Sequence, residues 1–253
     1  MFIYKLSYDH DLDCIPNLAE YYHVDTETIR LKAKEINELI KSESNLDIGT
    51  KVNLINWLVT GNKQRTNEII RVSFYHRCIS SGVKEWFSDG LLNSEDGLKS
   101  FFKKVDKLFP YMVNNDLATS LQYALKSRID LEKGKQDKVG IFAFTRLEEA
   151  KEALQYEIPE ICRDVGQSDR VDKLKDQLKS NLTQTIVKFY KEYEASESDE
   201  IIHTYWNLLC QQFDEALTSN SQNVGKGIDI PFHHIERIYY QDKNNQQWHS
   251  LDQ

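Results

Sequence analysis

The sequence predicts an α+β chain in two parts, and three observations lead there. Apolar residues at three- and four-residue spacing, such as Ile29, Ala33, Ile36 and Ile40, mark amphipathic helices. Uncharged runs of β-formers, above all Val139 to Thr145, mark strands set between those helices. A polar turn cluster, Gly61-Asn62-Lys63-Gln64, separates a short first pattern from a longer second one. The expected division is a small domain over 1–56, a linker over 57–65 and a larger domain over 66–253.

In the first part, Phe2 to Leu6 reads as a strand and Ile15 to Tyr22 as a helix with Leu18, Ala19 and Tyr22 on one face. Asp25 can cap a second helix, because its carboxylate can accept from an N–H of the first turn. Gly49 makes a turn, and Lys51-Val52-Asn53-Leu54 alternates as a closing strand, giving the order βααβ.

The second part opens on Val72 and Phe74, whose alternation suits a short, half-buried strand that ends at Tyr75-His76-Arg77. Gly82 lies in a turn. Val83, Trp86 and Phe87 keep helical spacing, and Gly90 closes that short helix. Ser94 caps a helix over 95–107, with Leu98, Phe101, Phe102 and Val105 on its apolar side. Phe109 to Val113 is strand-like, and Asn114-Asn115-Asp116 caps a helix lined by Leu117, Leu121, Ala124 and Leu125. After the turn Lys133-Gly134-Lys135 comes the strand over 138–145. Val171, Leu174, Leu178, Leu182, Ile186 and Phe189, then Ile201, Ile202, Tyr205, Leu208 and Leu209, predict an inserted helical hairpin over 168–219.

Bulk properties narrow the function. A chain of 253 residues suffices for one large domain or a small one beside a medium one. A net charge of −8 argues against general binding to a phosphate backbone, which needs clustered lysine and arginine. Four scattered cysteines (Cys14, Cys78, Cys162, Cys210) contain no C-x-x-C pair and fit a reducing compartment. The opening MFIYKLSYDHDLD turns acidic too soon for a secretory signal, and no run approaches the roughly 20 apolar residues of a membrane helix. The expectation is a chain that is cytoplasmic where it is made, and that would reach another cell only by a route independent of a signal peptide. No phosphate-binding loop, nucleophile elbow or dinucleotide fingerprint occurs.

Two segments of 1–56 carry a family resemblance. Ile15-Pro16-Asn17-Leu18-Ala19-Glu20-Tyr21-Tyr22-His23-Val24 resembles the LysM segment before that module's second helix, and Leu46 to Ile55 is similar to its closing strand. The resemblance implies binding of N-acetylglucosamine polymers such as peptidoglycan, or docking to a secretion-apparatus protein. Asp9, His10, Asp11 and Asp13 stand where the family has a Gly-Asp-Thr-Leu turn, so scaffold or docking roles stay open beside glycan binding.

A second resemblance covers the rest. Arg71 to Leu92 (RVSFYHRCISSGVKEWFSDGLL) resembles the opening segment of the ADP-ribosyltransferase fold. Phe109 to Tyr123 is similar to the aromatic segment that follows it, and Val139 to Thr145 to the next strand. Ile228, Ile230, Pro231, Ile235 and Ile238 match the final pair. This resemblance implies an NAD-consuming toxin or effector that modifies a macromolecular acceptor, protein or nucleic acid. It assigns His76 to the nicotinamide ribose, with Tyr75 and Arg77 beside it, and the Arg77 guanidinium to the pyrophosphate. Tyr111 and Tyr123 would flank nicotinamide, a flat aromatic cation that rings stabilise. The same two tyrosines also suit core positions with a surface hydroxyl. The family's catalytic glutamate falls near Lys226 or Gly227, where there is no carboxylate, and Asp229 is the nearest acid. A carboxylate there would stabilise the oxocarbenium-like centre. Asp229 substitutes, another residue serves, or the fold has lost its chemistry. The last outcome leads to the alternative: a non-enzymatic protein-binding component of a phage or secretion apparatus.

Two further constellations are weaker. His233 and His234 are adjacent and would point to opposite faces of a strand, so no metal site is expected. Cys78 beside His76 lacks a third, orienting group for a cysteine hydrolase.

Overall fold

The computed structural model describes residues 3–10, 13–43, 45–61, 69–110, 115–132, 140–153, 157–159, 162, 169–194, 197–211, 221–224 and 227–251. It is a mixed α+β chain that divides into two compact units. Unit 1 comprises Met1–Phe74, Thr145–Glu148 and Tyr190–Asn220, and unit 2 comprises Tyr75–Phe144, Glu149–Phe189 and Ser221–Gln253.

Unit 1 starts with β1 (Ile3–Leu6), which runs parallel to the beginning of β2 (Ile69–Ser80) from Ile3↔Ile69 to Leu6↔Val72. Three helices follow β1: α1 (Cys14–Tyr22), α2 (Thr26–Ser42) and α3 (Ile48–Thr60). They pack with α8 (Asp199–Gln211) around Leu18, Ile29, Ile36, Ile55 and Trp206. Asp25 caps α2 as expected, accepting from the Thr28 N–H at 2.6 Å.

The expected closing strand at Lys51–Leu54 is instead the middle of α3, so 1–56 reads βααα rather than βααβ. Asp47 explains the difference. Its carboxylate accepts from the Thr50 N–H at 2.9 Å and the Thr50 hydroxyl at 2.7 Å, and Val52, Ile55 and Val59 then bury one helical face. Four alternating residues were too few to outweigh a capped thirteen-residue stripe. Residues 57–60 of the expected linker belong to the same helix, which ends at a left-handed Gly61, and 62–65 lie outside the described residues.

Both caps hold their carboxyls below the ordinary range through hydrogen bonds to Thr28 and Thr50. The folded state therefore keeps the charge to lower pH than the unfolded chain does. The stabilisation is complete above the unfolded carboxyl pKa and disappears as pH falls through the depressed folded value. Asp47→Ala is expected to lower the melting temperature at about pH 7, with the gap narrowing by about pH 2. Circular-dichroism melts of both proteins across that range check it.

In unit 2 the strands lie in the order β5-β3-β2-β4-β6-β7. These are β3 (Phe142–Phe144), β4 (Thr183–Tyr193), β5 (Ser221–Asn223), β6 (Ile235–Gln241) and β7 (Trp248–Leu251) beside β2. The pairings β2–β3, β3–β5, β4–β6 and β6–β7 are antiparallel. Helices α4 (Ser94–Leu108), α5 (Asn115–Glu132) and α7 (Asp169–Asn181) share a core of Leu98, Val105, Leu117, Leu121, Leu174 and Leu178. A short helix, α6 (Leu147–Glu152), follows β3.

The helical hairpin expected over 168–219 is not formed. Among the described residues of that stretch the α-helices are α7 and α8; 183–193 between them is strand β4, and α8 belongs to unit 1. Thr183, Thr185, Ile186, Val187, Phe189 and Tyr190 are β-branched or aromatic, and Thr185 to Val187 are buried in succession, which suits a strand covered on both faces. The strand expected over 138–145 is reduced to Phe142–Phe144, with 138 and 139 outside the described residues. Phe109 still donates its N–H to Val105 at 2.8 Å, so the predicted strand at 109–113 begins as a helix end; 111–113 lie outside the described residues. The final strand pair is β6 with β7, whereas Ile230 makes only an isolated bridge to Leu91.

No helix among the described residues is long and apolar enough to cross a membrane.

Candidate functional site

Strand β2 carries Tyr75, His76 and Arg77, and it runs on to Ser80 rather than stopping at the histidine. Tyr75 is fully buried, with the Lys188 ammonium 5.9 Å from its ring centroid. Lys188 pairs with Glu236 at 3.7 Å, which links β4 to β6 beneath that ring. The His76 Nδ1 lies 2.7 Å from the Phe142 carbonyl oxygen. A carbonyl only accepts, so Nδ1 carries the proton, and in the neutral ring Nε2 is the acceptor.

Arg77 is committed to structure. Its Nη1 donates to the carbonyls of Ala150 (2.9 Å), Lys151 (2.8 Å) and Ala153 (2.6 Å), and its Nε to Gln184 at 3.3 Å. Those carbonyls are among the open acceptors at the end of α6, where a cation is favourable. The Trp248 ring lies 5.4 Å away, and burial pulls the guanidinium pKa below its ordinary value without threatening its charge. Nη2 is buried and has no partner among the described residues.

Asp229 accepts from the Asn93 backbone N–H at 2.5 Å. Asn93 in turn caps α4 by accepting from the Asp96 N–H at 3.1 Å. Tyr123 stands on α5 with 74% of its surface exposed. Tyr111 lies outside the described residues. Among the described residues, no hydrogen bond or ring contact joins Tyr123 or Asp229 to His76. The structure thus keeps Tyr75, His76 and Arg77 together because they are consecutive, and ties Asp229 to the start of α4.

The other constellations fare as follows. His233 and His234 sit in a 3₁₀ turn with rings edge-to-face at 4.6 Å, and no group of three metal-ligating side chains occurs among the described residues. Burial pushes the Cys78 thiol up to about 12, so it is protonated at neutral pH and a poor nucleophile.

No protein-family model, curated protein or solved structure matches this chain.

One feature of unit 1 was missed by periodicity alone. The thirteen residues of α3 contain one charge, Lys51, and its side chain is buried. The solvent side presents Ile48, Leu54 and Trp57, the last 56% exposed. Helix α2 beside it is an ordinary solvated helix, with Glu27–Arg30 at 3.6 Å and Lys32–Glu35 at 2.9 Å on its surface. The sequence signal for this face is the near absence of charge in IGTKVNLINWLVT.

Proposed function

We propose that the chain acts by gripping a protein partner, with the charge-free outer face of α3 as the contact. The carrying observation is Trp57, a half-exposed tryptophan with Leu54 one turn away and no charge beside it on its own helix. Tryptophan is enriched at interface centres because one ring buries a large area at little entropic cost. A partner bearing an apolar helix face matches this surface, since neither side then strands a charge.

A photo-crosslinking amino acid placed at position 57 in cells producing the chain should yield one discrete protein adduct. The same probe in place of Glu38, on the charged face of α2, should yield none. Adducts at both positions, or at neither, overturn the reading.

One observation favours the transferase reading as the second. The Phe142 carbonyl accepts from the His76 Nδ1–H, which orients the ring so that Nε2 is the acceptor in the neutral form, the role a ribose hydroxyl would need. The engagement of Arg77 and Asp229 within the fold weighs against it. Nicotinamide release from labelled NAD in a lysate, abolished by His76→Ala, would restore it over the first.

A further inference from the structure

Strand β7 ends the sheet of unit 2: β6 lies on one side of it, and the order of strands stops there. Its register with β6 runs from Gln241↔Trp248 to Ile238↔Leu251, and the Asp242 N–H donates to the Gln247 carbonyl at 2.8 Å. In an antiparallel pair the hydrogen-bonded residues alternate. Gln247, His249 and Leu251 therefore turn their backbone groups to β6, and Trp248 and Ser250 turn theirs to the open edge. Among the described residues no partner meets the outward N–H and C=O groups of those two.

Proteins ordinarily shield such an edge with a charge, a proline or a bulge. From Asn244 to Leu251 there is no Asp, Glu, Lys, Arg or Pro, and the register with β6 is continuous. The tryptophan does not cover the edge either. Its ring lies 5.4 Å from the guanidinium of Arg77, which comes from β2 and also bonds Gln184 on β4, so the ring leans inward over the sheet. Ser250 is exposed.

We propose that β7 pairs antiparallel with β7 of a second copy, joining two sheets across a two-fold axis. The edge itself selects the occupant. What stays open is a row of alternating peptide groups, and only an extended backbone matches it. A second β7 matches it completely. Setting Trp248 opposite the partner's Ser250, and Ser250 opposite the partner's Trp248, closes every outward group on both strands and places each large ring across from a small residue. The uncharged stretch also brings no like charges together, although each chain carries a net charge of −8. A two-fold contact of this kind closes on itself, as most assemblies of identical chains do. Strands of four residues make a small contact, so the dimer is weak and forms as concentration rises. No residue of α3 is needed.

Sedimentation velocity and amide hydrogen exchange of the full chain test this together. The sedimentation coefficient is expected to rise from monomer towards dimer between about 1 µM and 1 mM chain. Over that range the Trp248 and Ser250 amides should come to exchange at least about threefold more slowly, whereas the His249 amide is protected throughout. Ser250→Pro removes an outward N–H and leaves the bonds to β6 in place. It should weaken dimerisation at least about tenfold with the far-ultraviolet circular dichroism unchanged. Should that variant unfold, the exchange pattern of the unaltered chain still decides. Trp57→Ala should dimerise as the parent does, so a failed crosslink at position 57 and a failed β7 contact are told apart. A chain that stays monomeric to about 1 mM overturns the proposal. So does a dimer that forms without new protection at Trp248 and Ser250, or that is undiminished in a folded Ser250→Pro. Protection of both amides already in the monomer would mean that the chain covers its own edge. Protection of dilute chain only in cell lysate would give the edge to another protein, and either result overturns the pairing of copies.

Discussion

Trp206→Ala is expected to cost about 3–5 kcal/mol of stability, the range for deleting a large buried aromatic. Trp206 is completely buried on α8. Its Nε1 donates to the Tyr22 hydroxyl at 3.1 Å, and that hydroxyl donates to Asn56 Oδ1 at 2.9 Å. One polar relay thus runs from α8 through α1 to α3 inside an apolar bundle. Burial raises the Tyr22 pKa far above its ordinary value, so the phenol keeps the proton it donates. Alanine would leave a cavity of indole size and take away the donor, so both costs add. The loss is a large part of the roughly 5–15 kcal/mol by which a domain is folded. Trp206→Phe keeps most of the volume and loses the donor, and should cost about 1–3 kcal/mol. Urea unfolding followed by far-ultraviolet circular dichroism measures both. A loss under about 1 kcal/mol for alanine would mean the bundle closes over the gap, contrary to the close packing described.

The contrast between what periodicity read correctly and what it misread has a physical cause. Helices α2 and α4 carry a clear apolar stripe and polar opposite faces, so their spacing was legible. Strand β4 is buried on both faces over Thr185 to Val187, and such a strand does not alternate. Leu178, Leu182, Ile186 and Phe189 then fell by chance at helical intervals and extended α7 on paper beyond Asn181. At α3 the decisive signal was the Asp47–Thr50 cap rather than the short alternation after it. The candidate site was legible only as a list of residue types. Tyr75, His76 and Arg77 were found because they adjoin each other. What occupies Arg77 comes from Ala150 to Ala153, more than seventy residues away, and what occupies Asp229 is Asn93. Those contacts follow from the pairing of the strands, which no local window contains. Trp57 falls in the expected linker because, in sequence, the polar cluster behind Gly61 outweighs the helix in front of it.

Gly90→Ala is expected to have the other large effect, and Gly61→Ala separates its two causes. Both glycines occupy the left-handed region, with φ of 86° and 67°. At Gly61 an added Cβ meets nothing within 4 Å, so alanine there bears only the backbone penalty, about 1 kcal/mol. At Gly90 the same atom would lie 2.1 Å from the Ile230 carbonyl oxygen and 3.1 Å from the Phe232 nitrogen. Both obstacles are backbone, so no rotamer relieves the overlap and the two segments must part. Strain and overpacking together are expected to cost about 3 kcal/mol or more. The loss should be local first: the Leu91 and Ile230 amides, which bond to each other's carbonyls, should lose hydrogen-exchange protection before the core of α4, α5 and α7 does. Equal destabilisation by the two substitutions would show that the segment at 228–232 yields freely. The close approach of Gly90 would then have no part in holding Leu91 to Ile230.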